Sequence, residues 1–184
     1  MKEILKFKKI NELKKVYRSN SVGTRKESSA EHTWSSLMLA DYFFPKISQK
    51  VDKLKVYELL MYHDLVEIES GDFALSPDIE ELNKKEIELK GAKVLSKKLT
   101  KYQSNKFLNL FMEFEDNLTI EAKFATAIDK FDAIIQELDY KEDWKGWKKE
   151  FLQNKKEIFF KDFPIINREF HKILNYLEKE NYFH

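Results

Sequence analysis

Two side chains able to bind a metal, His63 and Asp64, stand side by side in the apolar run Leu59-Leu60-Met61-Tyr62-His63-Asp64-Leu65-Val66-Glu67-Ile68. A core helix would carry hydrocarbon there, whereas imidazole and carboxylate are ligands for divalent ions. Glu67 follows His63 by four residues and Asp64 by three, so on a helix turning about 100° per residue it overhangs the same edge. Upstream, Ser28-x-x-Glu31 has the form of a capping box and puts His32 in the first turn of another helix. Downstream, Asp129 interrupts a third helical pattern, on a stripe of small residues (Ala122, Ala125, Thr126, Ala133) that lets a neighbouring helix come close. The chain therefore offers His, then His-Asp, then Asp, from three separate helices.

Two neutral imidazoles and two carboxylates bring a divalent ion close to neutrality and fill four of six positions, leaving room for water and a substrate oxygen. Such an ion can acidify water and neutralise charge on a phosphoryl oxygen, as phosphate-ester hydrolysis requires. One ion is expected, Co²⁺, Mn²⁺ or similar, with Mg²⁺, Fe²⁺, Ni²⁺ or Zn²⁺ as alternatives. Taken singly, a buried histidine is usually a hydrogen-bonded core residue and a helical aspartate a cap or a solvated group. Taken together, His32, His63, Asp64 and Asp129 would place four polar groups on core-bearing helices to no purpose, and unpaired buried charge is costly. The set favours metal. His171, Asp132 and His184 belong to no such constellation and are assigned structural or solvated roles.

The bulk composition narrows the class further. Thirty-three Lys plus Arg against thirty-two Asp plus Glu leave a net charge of +1, so no overall field calls for nucleic acid or an anionic membrane. The absence of cysteine removes disulfides, thiolate metal sites and cysteine nucleophiles, and fits a reducing cytoplasm. No apolar run approaches the roughly 20 residues of a membrane span. A length of 184 residues suits one domain over 1–184.

With only four glycines and three prolines, long stretches repeat apolar residues every three or four positions, an all-helical pattern. Ile4, Phe7, Ile10, Leu13 and Val16 mark a first helix, followed by an ordered polar loop from Arg18 to Ser29. A second helix starts near Ser28 or Ser29, buries Leu37 and Ala40 and stops at Pro45. A third runs from about Asp52 to Ser70, with Gly71 as its stop, followed by a loop from Asp72 to Asp78 containing Pro77. An amphipathic helix is expected over Ile79 to Leu99, another around Phe107, Leu108, Phe111 and Phe114, and a long one capped by Thr119. A last helix begins at Pro164. In the Lys- and Trp-rich segment Lys141 to Lys156 the lysines alternate with acids, so it reads as a solvated amphipathic helix using Trp144 and Trp147 for packing or dimer contact, not as a nucleic-acid surface.

At these residues the chain resembles the HD-domain superfamily of metal-dependent phosphohydrolases, in its 5′-deoxynucleotidase branch. The resemblance rests on Arg25-x-Glu27-Ser28-x-Ala30-Glu31-His32, on His63-Asp64-x-x-Glu67-x-x-x-Gly71-Asp72, and on Glu121-Ala122-Lys123-Phe124 followed by Asp129, and spans from about Leu13 to at least Tyr140. It implies an HD-type helical bundle with the metal between core helices, His32, His63, Asp64 and Asp129 as ligands, and Glu67 and Asp72 as the carboxylates that handle protons. It implies further that Arg18 contacts the phosphate, that the substrate is a nucleoside 5′-monophosphate, and that the protein is a homodimer. For Arg25, a salt bridge to Glu27 or Glu31 stands level with substrate contact. Deoxynucleotide-selective members carry a tryptophan directly after the arginine, where this chain has Ser19, so the sugar preference stays open. A phosphodiesterase or a nucleotide polyphosphate hydrolase of the same superfamily, or a non-catalytic nucleotide-binding module, would share the pattern.

Overall fold

The computed structural model describes residues 1–75 and 83–183. Its helices are α1 (Lys2–Phe7), α2 (Ser29–Phe43), α3 (Lys53–Tyr62), α4 (Glu67–Ser70), α5 (Lys84–Lys98), α6 (Lys101–Asp116), α7 (Ile120–Gln136), α8 (Lys149–Phe160) and α9 (Pro164–Lys179). Polar side chains close the starts of α2, α3, α6 and α7. Ser28 Oγ accepts from Glu31 N at 3.3 Å while Glu31 Oε2 accepts from Ser28 N at 2.9 Å, a complete capping box for α2. Asp52 caps α3 and Thr119 caps α7. Gly71, at φ 75°, ends α4 in a conformation that a side chain would strain.

The helical architecture is as anticipated, with three local departures. The first predicted helix is α1 followed by a 3-10 stretch, Lys8–Lys15. The segment expected to be a loop forms an antiparallel hairpin, β1 (Tyr17–Val22) with β2 (Arg25–Ser28), closed by a two-residue turn in which Gly23 takes φ 58°. Its strands are polar and give no alternating signal. Bonds to the end of α7 fix them: Asn20 Nδ2 donates to Ala133 O at 3.0 Å, and Gln136 Nε2 to Ser21 O at 2.7 Å. The third departure is the helix expected from Asp52 to Ser70, which tightens into a 3-10 turn over His63–Val66. Of the predicted 79–99 helix, α5 covers Lys84–Lys98, and Pro77, Asp78 and Ile79 to Leu82 lie outside the described residues.

Helix α7 runs through the centre, packed by α2, α3, α6, α8 and α9. Ala122, Ala125 and Ala127 are fully buried along it, and this absence of bulk lets α2 and α3 approach. The larger apolar cluster joins Phe43, Leu60, Phe124, Ile128, Phe131 and Phe170, while a smaller one joins Leu13, Leu65, Val66, Leu95, Phe107 and Phe111. Tyr62 packs on both clusters. His63 and Asp64 therefore fall in the chain between Leu60 of one cluster and Leu65 of the other, at their seam. Trp144 is buried in the larger cluster and Trp147 packs against it, so these tryptophans serve the core. No described helix is long and apolar enough to cross a membrane.

Replacing Ser28 by alanine removes the cap of α2, the helix that carries His32 four residues on. The expected loss is about 1 kcal/mol of unfolding free energy, read from urea denaturation of the two proteins with no change in the slope of the transition.

Candidate metal centre

His32, in the first turn of α2, is fully buried, and its ring is held from both sides. Nε2 lies 2.9 Å from Asp129 Oδ1 and Nδ1 lies 2.9 Å from Asp132 Oδ2, which also accepts from Ser35 Oγ at 2.6 Å. Burial and the nearby Arg18 work to lower the His32 pKa, but the hydrogen bonds to Asp129 and Asp132 prevail and hold it up at about 10. In the ion-free protein His32 is thus an imidazolium clamped between two carboxylates. Asp129 is correspondingly held well below the usual carboxylate range: burial opposes its charge, but Lys130 and His32 outweigh it. The Lys130 ammonium sits 2.8 Å from Asp129 Oδ2.

His63 presents the complementary case. Its Nδ1 donates to Leu60 O at 2.7 Å, a bond made within the tightened turn that breaks the predicted helix. That bond fixes the tautomer and leaves Nε2 as a lone pair. Nε2 is buried without a hydrogen-bond partner, although Asp64 Oδ1 is 3.0 Å away and Asp129 Oδ1 3.9 Å. Burial pushes the His63 pKa down, so the ring is neutral. A neutral imidazole nitrogen aimed at two carboxylate oxygens, with no proton to share, is the donor set of a cation site. One ligand atom each from His32, His63 and Asp129 lies within 4.8 Å of the others. Asp64 adjoins this group through His63 while its Oδ2 turns to Arg18 Nη1 at 3.4 Å. The four residues singled out from the sequence are thus in one place, three tightly grouped and Asp64 at the edge.

The carboxylates expected to handle protons are beside them. Glu67 is buried and accepts from Ser29 Oγ at 2.6 Å through Oε2. Burial, then the charge of Asp64, raises its pKa well above the usual range against the pull of Arg18. Asp72 Oδ1 lies 3.5 Å from Arg18 Nη1. Arg18, on β1, is mostly buried and reaches Asp64, Asp72 and, at 3.6 Å, Glu27 Oε2. Burial works against its charge, but Asp64 and Asp72 keep it firmly protonated. Arg25 is exposed and spent on Glu31, at 2.8 Å and 2.5 Å to its two oxygens, which settles it as a salt bridge. Ser19 is exposed.

Asp132 requires a correction. Of the structural or solvated role expected, the structural one holds, since it is buried and orients His32 from behind, but it belongs to the cluster it was kept apart from. The signal was present in the spacing Asp129 to Asp132, three residues on one helix face. Glu27, also buried, gathers with Asp132 around the same histidine. Its own pKa is raised, chiefly by burial. His171 pairs with Glu157 at 2.6 Å, a structural role as expected, and His184 lies outside the described residues.

A helical bundle with paired imidazoles and carboxylates at the junction of α2, α3 and α7 defines a metal-binding fold. A family model described as the HD domain matches residues 10–167, and the chain belongs to that family. It is 28% identical over 145 residues to the 5′-deoxynucleotidase HDDC2 of Xenopus laevis, covering 77% of this chain and 71% of that protein. The 5′-deoxynucleotidase hdd1 of Schizosaccharomyces pombe is 28% identical over 102 residues, 53% of this chain and 52% of its own. A predicted metal-dependent phosphohydrolase from Magnetospirillum magnetotacticum MS-1, 23% identical, shares the fold with a TM-score of 0.86 over 99% of this chain and 94% of that one. A conserved hypothetical protein from Pyrococcus furiosus, 27% identical, superposes with a TM-score of 0.65 over 95% of this chain and 99% of its own.

Two outcomes follow from the way His32 is held. Asp132→Asn keeps the shape but exchanges a charged acceptor for an amide, so affinity for Mn²⁺ falls about 10–100-fold, measured by titration calorimetry. In the native protein, a cation taking His32 Nε2 must displace the proton held with a pKa of about 10. Its apparent affinity therefore rises with pH, by about tenfold per unit for one displaced proton between neutrality and that value. Calorimetry in buffers of different ionisation heat should register close to one proton released; none released would contradict the imidazolium.

Proposed function

We propose that the chain is a divalent-metal-dependent phosphohydrolase that removes the phosphate of nucleoside 5′-monophosphates, deoxynucleotides included. The observation that carries the reading is the meeting of His32, His63 and Asp129 within 4.8 Å, with the buried guanidinium of Arg18 at the edge of the same cluster. An orphaned imidazole nitrogen among carboxylates suits a cation, and a buried arginine beside it suits the oxygens of a phosphate. The 5′-deoxynucleotidase names of the Xenopus and Schizosaccharomyces relatives support the substrate class.

In this reading His32, His63, Asp64 and Asp129 hold one divalent ion, Co²⁺ or Mn²⁺, which when bound supplies Lewis acidity and neutralises phosphoryl charge. Arg18 orients the remaining phosphate oxygens through Nη1 and Nη2, releasing part of its hold on Asp64 and Asp72. Glu67, with Oε2 engaged by Ser29, offers Oε1 to the proton of the attacking water, and a pKa raised by burial and by Asp64 suits a group that accepts and returns a proton. Water oxygen forms the new bond to phosphorus, the P–O bond to the nucleoside breaks, and the leaving oxygen takes up the proton that Glu67 accepted, passed on by way of Asp72 or a second water. A homodimer, which rests on the resemblance, and a cytoplasmic location, which the cysteine-free sequence fits, complete the reading.

The deciding experiment is phosphate release from deoxy- and ribonucleoside 5′-monophosphates, 3′-monophosphates and bis(p-nitrophenyl) phosphate, with Mn²⁺, Co²⁺, Mg²⁺ or chelator. The expected result is metal-dependent release confined to 5′-monophosphates, abolished in Asp64→Ala, with KM raised at least about tenfold in Arg18→Ala. The deoxy-to-ribo ratio reports on the serine at position 19. Activity on the diester alone would move the assignment to a phosphodiesterase.

A further inference from the structure

Lys156 occupies a position where the sequence should hold hydrocarbon. On α8 it lies four residues after Leu152 and four before Phe160, both fully buried, and it is itself only 8% exposed. The other cations near the metal cluster are matched: Arg18 by Asp64 and Asp72, Lys130 by Asp129 at 2.8 Å, Lys84 by Glu88 at 3.7 Å. Lys156 makes no hydrogen bond or ion pair among the described residues. Burial, then the charge of Lys130, pulls its pKa down to about 7, with Asp129 acting the other way and Arg18 and Lys84 adding to the repulsion. Helix α8 packs against α7, which carries Asp129 and Lys130, so the ammonium lies within electrostatic reach of the ligand-bearing face of α7. A leucine or methionine there would extend the apolar face without cost, whereas a buried cation lacking an anion destabilises the fold.

We propose that Lys156, with Lys130 and Arg18, binds the phosphate of the substrate, and that the phosphate dianion is the counterion Lys156 lacks. This inference rests on the phosphohydrolase reading. Three cations would then reach one anion from three elements: Arg18 from β1, Lys130 from α7 and Lys156 from α8. Lys156 would be a binding residue for the oxygens that are not engaged by the metal, and its desolvated ammonium would gain most as the dianion enters.

The test uses the full chain loaded with Mn²⁺ and inorganic phosphate as the probe, comparing the native protein with Lys156→Met and Lys156→Arg. Expected for Lys156→Met are a phosphate Kd weakened at least about tenfold, a KM for nucleoside monophosphate raised by a similar factor with a smaller change in kcat, and unchanged Mn²⁺ affinity. Its melting temperature without phosphate should equal or exceed the native value, and the rise that phosphate gives the native protein should shrink. Lys156→Arg should restore part of the affinity; should Lys156→Met not fold, Lys156→Gln takes its place in the same measurements. Unchanged phosphate affinity and KM in a folded variant overturn the inference and leave the nucleotidase reading intact, and so does a native protein that hydrolyses nucleotides yet shows no affinity for phosphate. Phosphate binding that depends on Lys156 without hydrolysis of any nucleotide supports the anion site and removes the nucleotidase reading instead.

Discussion

Asp129 is a carboxylate on the innermost helix of an otherwise phenylalanine- and isoleucine-rich core, and its charge has to be met there. Transfer of an isolated carboxylate into such a medium is prohibitive unless partners accompany it. The surrounding structure supplies them in layers. His32 is charged in the ion-free protein because Asp129 and Asp132 hold it so, and Lys130 contacts the other Asp129 oxygen. His63, by contrast, is kept neutral by burial and by its bond to the Leu60 carbonyl. One imidazole is thus a proton holder and the other a ready ligand. On the proposed reading a divalent cation would replace the His32 proton with two positive charges in the same place, where ligand atoms of His63 and Asp129 already gather.

The helical periodicities made most of this arrangement legible. Ser28 and Glu31 located the start of α2, Thr119 that of α7 and Pro164 that of α9, because capping chemistry is local and written in adjacent residues. The candidate ligands were legible for the same reason, since a polar pair inside an apolar run violates its own pattern. What was hidden depends on contacts distant in sequence. The β1–β2 hairpin has little apolar alternation, and its strands are ordered by Asn20 and Ser21 bonding to the last turns of α7. The break after Tyr62 follows from the His63 side chain competing for a backbone carbonyl. Lys156 was masked by its neighbours, as a lysine among Lys141, Lys145, Lys148, Lys149 and Lys155 reads as one more solvated charge until the burial of Leu152 and Phe160 shows which way that face of α8 turns.

The same bonds that order the hairpin link the two halves of the site. Helix α7 carries Asp129, and one and two turns later it carries the Ala133 carbonyl and the Gln136 amide that pin β1. Arg18 stands on that strand two residues before Asn20. The distance between the metal cluster and the guanidinium is therefore set by one rigid helix and a short strand, not by a loop free to wander. Ser21 adds a backbone donor to Glu137, and burial together with Asp143 raises the Glu137 pKa to about 8. The anchor itself is polar, made of hydrogen bonds and not of apolar packing.

Charge is distributed asymmetrically about the site. On the hairpin side, Arg18 is matched by acids in the resting protein and must loosen from Asp64 and Asp72 to meet an anion. On the α8 side, Lys156 is backed by Leu152 and Phe160 and has no such partner to surrender among the described residues. A cation that exchanges one carboxylate for a phosphate gains only the difference between two pairings, while a desolvated cation without a partner gains the whole of one. The α8 side thus holds the stored electrostatic cost, and the hairpin side holds the group that must exchange partners. Such a division places the larger binding gain where packing fixes the geometry.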